Sequence, residues 1–286
     1  MGRPNSGKST LLNFICGEKV AIVSKKPQTT RNRILAVKTL PQAQIIILDT
    51  PGLHDATAAL NKNMVKAAGK AAKEADLLLF LCDLRLENTE EDIKHAQSLM
   101  RLEKPMMVAI NKIDLTAKEK LLPVMDLWSK ARFSDIYPVS ALHGDGVEEL
   151  LGGIIKRLPV SPRLFPEDTL TQHSERFLVA ETIREKLFNF THQEIPYSSA
   201  VRIEEYHERS EKLNAVRAII YVEKDSQKGI VIGQNGSMIK RIGQAARKEL
   251  EKRFGKKFYL ELGVKTRKDW TRDETFLKRL DSEFSD

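Results

Sequence analysis

A chain of 286 residues with 41% hydrophobic and 30% charged residues can bury a sizeable core, which excludes a largely disordered chain and predicts two domains. The two cysteines, Cys16 and Cys82, are too few for a disulfide framework or a cysteine zinc site, and they point to a reducing compartment, the cytosol by default. A net charge of +8 favours an anionic partner, nucleic acid or a membrane surface, while the longest apolar run, ADLLLFLC, is too short to cross a bilayer.

The opening, MGRPNSGKST, fits G-x-x-x-x-G-K-[ST] from Gly2 to Ser9. Glycines expose backbone N–H groups and a helix N-terminus faces the anion, so Gly2, Asn5, Ser6, Gly7, Lys8, Ser9 and Thr10 are the candidate phosphate ligands. Lys8 would reach the β- and γ-phosphates and the Ser9 hydroxyl would bind Mg2+. Such a loop ordinarily follows a buried strand, yet Gly2 is the second residue. The expectation is that the natural protein begins roughly ten residues upstream, with an ordinary strand and a short lead-in, and that Met1 is an internal or misassigned start; loss of that strand would leave neighbouring strands without ladder partners.

Next comes SKKPQTTRNRI, without periodicity and with two threonines. It suits a switch in which a threonine hydroxyl joins the Mg2+, with Thr30 the first candidate and Thr29 the alternate. From Leu11 to about Leu158, β-rich runs such as QIIILDT, PMMVAINKID and DIYPVSA alternate with helical stretches such as EDIKHAQSLMRLE. That rhythm predicts an α/β domain with a mostly parallel sheet over residues 1–160.

Three further motifs end strands. DTPG offers Asp49 as a carboxylate for the Mg2+ shell and Gly52 as a γ-phosphate sensor. NKID offers Asp114, whose two oxygens can accept from adjacent donors on guanine, a pair that adenine lacks; Asn111 would tie this loop to the phosphate loop and Lys112 would lie over the base. Ser140 and Ala141, in VSAL, would bring the Ala141 N–H to guanine O6. Any one of these could be a turn or a helix cap. Four in order at strand ends read as a guanine-nucleotide site, with GTP and GDP as ligands.

LPVSPRLFPEDTLTQHSE carries three prolines and little periodicity, so residues 161–174 read as a linker. Beyond it, residues 175–286 give the order α-β-β-α-α-β-α. Within them, residues 224–257 carry ten Lys and Arg against three Asp and Glu, and enclose GIVIGQNGSMIKRIG. A G-x-x-G turn between helices admits a nucleic-acid backbone, and the following helix N-terminus favours phosphate. This arrangement reads as a small α+β KH fold of type II. Gly233, Gln234, Asn235 and Gly236 would clamp the strand; Ile230, Ile232 and Ile239 would floor the groove, with core packing the alternative for Ile230 and Ile232; Lys240, Arg241 and Arg247 are the phosphate contacts.

Together, GRPNSGKSTLLN, PQTTRNRI, DTPGLH, NKID and VSAL, followed by the KH-like half, resemble the Era family of bacterial GTPases across essentially the whole chain. The resemblance implies a Ras-like P-loop G domain, slow GTP hydrolysis, and a role in small-subunit maturation on the 3′ end of its ribosomal RNA and the 30S particle. A monomeric, cytoplasmic protein is implied, with peripheral contact at the inner face of the membrane left open. Leu53 stands where Ras-type enzymes carry a water-orienting glutamine, and some relatives with an aliphatic residue there use a monovalent cation. That maps K+ onto Asn5, so that Lys8, Asn5 and Thr30 are the candidate catalytic groups. The family more often has a lysine where this loop has Gln234 and Asn235. Competing readings are a P-loop kinase or ligase, a two-G-domain ribosomal GTPase, and a GTP-binding RNA module with little or no hydrolysis.

Overall fold

The computed structural model describes residues 1–24, 26, 29–31, 33–50, 52, 68–85 and 89–282. Its described residues divide into two compact units, one holding 1–23, 30, 31, 33–50, 52, 68–85 and 89–172, the other 24, 26, 29 and 173–282.

In the first unit, helix α1 (Lys8–Cys16) follows the glycine-rich loop and ends at Gly17, whose left-handed conformation closes the last turn onto Asn13 and Phe14 carbonyls. Strands β1 (Ile34–Leu40) and β2 (Ala43–Asp49) form an antiparallel hairpin across Pro41 and Gln42, in register from Ile34 opposite Asp49. Residues 68–74 are helical. Strand β3 (Leu78–Asp83), helix α2 (Thr89–Leu99), β4 (Met106–Asn111), α3 (Leu121–Lys130), β5 (Ile136–Val139) and α4 (Val147–Arg157) follow in alternation. Strands β3, β4 and β5 are parallel. LLFLCD and MMVAIN are apolar almost throughout because helices cover both faces of a parallel sheet, and Phe80, Met107, Val108 and Ala109 are fully buried.

The strands of this unit form two sheets, β1-β2 and β3-β4-β5, with no ladder between β2 and β3 among the described residues, in keeping with the expectation that neighbouring strands lack a ladder partner. The proline-rich segment expected to be a linker packs along the hairpin. Thr171 Oγ1 donates to Leu35 O at 2.6 Å, Val37 N donates to Leu170 O at 2.9 Å, and the Gln44 side chain bonds the backbone at Leu164 and Phe165.

The second unit runs α5 (Glu175–Phe190), β6 (Ser199–Ser210), β7 (Leu213–Val222), α6 (Asp225–Ile232), α7 (Ser237–Phe254), β8 (Lys257–Thr266) and α8 (Glu274–Ser282). Strands β6 and β7 are antiparallel, and β7 and β8 are parallel, which requires the α6–α7 crossover. Val179, Ile183 and Leu187 of α5 and Ile242, Ala246 and Leu250 of α7 meet Val216, Ala218 and Ile220 in one core. The i, i+4 spacing of the α7 residues places them on one stripe. A second cluster gathers Trp270, Phe276, Leu277 and Leu280, with Trp270 Nε1 donating to Ser198 O.

Candidate functional site

Three oxygen-bearing side chains from three separate segments converge beside the N-terminus of α1. Ser9 Oγ donates to Asp49 Oδ2 at 2.6 Å and lies 3.0 Å from Thr30 Oγ1, which is itself 3.3 Å from the same carboxylate oxygen. Thr29, the alternate, turns its hydroxyl to Lys26 O at 2.8 Å. Burial pushes the Asp49 carboxyl up, against the Ser9 hydrogen bond and the nearby Lys8 ammonium, so a carboxylate here lacks full compensation. Hard oxygens around such a carboxylate fit Mg2+, which takes few protein ligands and keeps the rest for water and phosphate. Burial also lowers the Lys8 ammonium to about 8, with Asp49 opposing and Lys112 adding to the shift. Lys8 Nζ rests on Gly2 O at 3.1 Å and Arg3 O at 2.7 Å.

The loop holds its shape through Asn111, which ends β4 and is 1% exposed. Its Nδ2 donates to Ser6 O at 2.7 Å and its Oδ1 accepts from Ala141 N at 2.9 Å, so one amide clamps the phosphate loop to the VSAL loop. Gly7, at φ 102°, must lack a side chain because a Cβ there would collide with Asn111 Nδ2. Gly52 lies so close to Pro4 that a Cβ would sit 2.7 Å from its nitrogen.

The Ala141 N–H, the candidate partner of guanine O6, donates here to Asn111 Oδ1 at 2.9 Å. Ser140 is also buried and its Oγ accepts from His143 N at 3.2 Å. Lys112 Nζ donates to Asn5 O and to Asp83 Oδ2, both at 2.6 Å, and Asn5 itself has a left-handed backbone at φ 63°. Asp114 lies in the short turn Ile113–Leu115, with His143 Nε2 3.8 Å from its carboxylate. Leu53 lies outside the described residues.

Several residues at this site carry no motif signal. Asp83 closes β3 and accepts from Lys112 and from Arg85 at Nε (3.0 Å) and Nη2 (2.8 Å). Burial raises its carboxyl, but those donors overcome it and hold it below the usual range. Arg3 Nε lies 2.7 Å from the buried Asp92 of α2, and Asn13 Oδ1 accepts from Val20 and Ala21 N–H at 2.8 Å. All three pair across distances in sequence that spacing does not encode. An acidic residue at a strand end facing a lysine-bearing loop is the one signal that could have found Asp83.

In the second unit, the G-x-x-G turn stands between α6 and α7. Gly233 has φ 73°, and a Cβ there would meet Met238 Cβ and N at 2.7 Å; Asn235 and Gly236 are also left-handed, at 50° and 76°. Gly236 precedes α7 without a side-chain cap, leaving first-turn N–H groups for an anion. Ile230 is 49% exposed while its neighbour Val231 is fully buried, so α6 gives Val231 to the core and Ile230 to the surface beside the turn. Ile232 is half-buried, and Gln234, Asn235, Lys240 and Arg247 are exposed. Arg241 stacks its guanidinium 4.3 Å from the Phe190 ring centre, an interaction that fixes its stem.

Residues 1–112 match the family described as 50S ribosome-binding GTPase, and residues 194–271 match the KH domain. The chain is 48% identical over 282 residues to GTPase Era of Geobacter metallireducens, covering 98% of this chain and 95% of the relative. Against GTPase Era of Thermotoga maritima it is 47% identical over 279 residues, covering 96% and 92%. A crystal structure of Era with MgGDPNP and nucleotides 1506–1542 of 16S ribosomal RNA superposes with a TM-score of 0.92 at 40% identity, covering 97% of this chain and 95% of that one. An Aquifex aeolicus Era variant bound to GDP·AlF4⁻ matches with the same values.

Proposed function

The chain belongs to the Era family of GTPases, and from that premise we propose that it binds GTP with Mg2+, hydrolyses it slowly, and engages the 3′ end of small-subunit ribosomal RNA during assembly of that subunit. The observation that carries the nucleotide half is the meeting of Ser9, Thr30 and Asp49 next to Lys8. Ser9, Thr30 and Asp49 would hold Mg2+, which when bound would supply positive charge against the phosphates. Ser9 and Thr30 give it hydroxyl oxygens and Asp49 a carboxylate one shell out. Lys8 stabilises charge on the transferring phosphoryl, and the loop N–H groups from Asn5 to Thr10 cradle the α- and β-phosphates. Asp114 accepts from the guanine edge, Lys112 covers the base, Asn111 and Ser140 keep those loops aligned, and Gly52 reads the γ-phosphate.

Because Thr30 joins the cluster through a hydroxyl, losing the γ-phosphate removes a reason for its segment to stay there. For hydrolysis we assign K+ to Asn5, where it would offset charge developing between the β- and γ-phosphates; equal turnover in K+ and Na+ buffers would remove that assignment. Intrinsic turnover on the order of 10⁻⁴ to 10⁻² s⁻¹ suits a timer in assembly.

For the RNA half, Gly233 to Gly236 clamp the backbone of a single strand, Ile230 and Ile232 floor its bases, and Lys240, Arg241 and Arg247 pair with phosphates. No helix among the described residues is long and apolar enough to cross a membrane. The test is fluorescence anisotropy with an RNA oligonucleotide matching that 3′ end. The Gln234→Asp, Asn235→Asp pair should weaken binding at least tenfold while leaving GDP affinity within twofold. Unchanged RNA affinity would overturn the assigned face.

A further inference from the structure

Asp83 is a buried carboxylate at the nucleotide site that belongs to none of the four motifs. Two cations converge on it. Lys112 Nζ donates to Oδ2 at 2.6 Å, Arg85 donates to Oδ1 through Nε at 3.0 Å and backbone N at 3.1 Å, and Arg85 Nη2 donates to Oδ2 at 2.8 Å. The forked guanidinium fixes the plane of the carboxylate, and with it the direction in which Oδ2 meets the ammonium. A carboxylate buried at this depth is costly without such partners, so the three groups form one unit.

The far side of that unit touches the phosphate loop, where the same ammonium donates to Asn5 O at 2.6 Å. In the parallel register of β3 and β4, Asp83 stands opposite Asn111, which brings Lys112, one residue past the end of β4, within reach of it. Lys112 has a left-handed backbone at φ 67°, a conformation that a residue with a side chain keeps only where its surroundings impose it. Asp114, two residues on, has His143 Nε2 3.8 Å away and no ion pair with Lys112 or Arg85 among the described residues, so its oxygens stay open.

Resting on the reading in which Lys112 covers the base and Asp114 accepts from the guanine edge, we propose that Asp83, oriented by Arg85, is a positioning residue for guanine nucleotides. It holds the Lys112 ammonium between the end of β3 and the phosphate loop, and so keeps it off Asp114. With Asp83 neutral, the ammonium loses its charged partner, the left-handed turn loses an anchor, and Asp114 becomes a competing partner for Lys112 just where guanine needs an acceptor.

Double-mutant cycles on the release rate of fluorescent GDP test this. Asp83→Asn keeps the shape and removes the charge; Lys112→Met keeps the stem and removes the ammonium; Arg85→Gln loosens the fork from an exposed position. Release should be about tenfold faster in Asp83→Asn and about threefold faster in Arg85→Gln, the loss of one charged partner and of one orienting contact. In a Lys112→Met background neither substitution should speed release further, whereas a carboxylate with only a structural role would make the losses multiply. Because Arg85 is exposed, its cycle stands whether or not Asp83→Asn folds. Multiplying losses, or release at the parent's rate from Asp83→Asn and Arg85→Gln, would overturn the inference alone. A Lys112→Met protein that holds GDP as firmly as the parent would overturn the reading of the base site, and the inference with it, so the two failures are distinguishable.

Discussion

Asn111→Ala is the sharpest perturbation of the nucleotide half. The side chain is buried and makes two hydrogen bonds that nothing else replaces, to Ser6 O at 2.7 Å and from Ala141 N at 2.9 Å. Truncation forfeits both, each worth about 1 kcal/mol net, and strands two buried backbone groups whose desolvation costs about 1–3 kcal/mol apiece. Water entering the space left by the amide would recover part of that, so about 2–4 kcal/mol of local stability should go. The loop that cradles the phosphates is one end of the clamp, so a loss of about half that energy from binding means roughly 5- to 30-fold weaker GDP affinity. Urea unfolding gives the first quantity and fluorescent GDP titration the second. Asn111→Asp keeps the shape but sets a carboxylate oxygen against Ser6 O, and should do at least as much damage. A loss under about 1 kcal/mol with unchanged GDP affinity would show that the two loops hold together without this residue.

Other expectations follow from the same geometry. With the Lys8 ammonium lowered to about 8 in the free protein, triphosphate binding must raise it again; GTP affinity should be flat below pH 8 and fall up to about tenfold per pH unit above it, a bend that isothermal titration should find absent in Lys8→Arg. Gly233→Ala meets Met238 at 2.7 Å and a positive φ, whereas Gly236→Ala meets only the φ, so thermal unfolding should show the first as the costlier by 1 kcal/mol or more. Removing the Arg247 charge should lower RNA affinity across all sequences and flatten the slope of log affinity on log salt by about 0.7.

The local motifs were legible because phosphate and guanine chemistry demands fixed residue types at short spacing. Gly2 to Ser9, DTPG and NKID announce themselves, and the structure brings Ser9, Thr30 and Asp49 within hydrogen-bond reach. The KH-like half was readable from the G-x-x-G turn inside its basic window and from the i, i+4 stripe of α7. What stayed hidden depends on contacts between distant segments. Asp83 looks like any strand-end carboxylate until Lys112 and Arg85 arrive on it, and Asp92 is an ordinary first-turn acid until Arg3 reaches it. Periodicity could not tell that α6 presents Ile230 outward and Val231 inward, because a short apolar run is compatible with either. Nor could proline content separate a loose linker from residues 161–172, which lie along β1 and β2 through the Leu170 carbonyl, the Thr171 hydroxyl and the Gln44 side chain, partners far apart in sequence.

Single-turnover phosphate release with Mg2+ asks whether the Ser9, Thr30, Asp49 and Lys8 cluster turns over GTP. The expected result is about 10⁻⁴ to 10⁻² s⁻¹ with GTP, no turnover of ATP, and at least tenfold slower release in Thr30→Ala with GDP affinity unchanged. Equal rates with ATP and GTP, or a Thr30→Ala protein as fast as the parent, would contradict it.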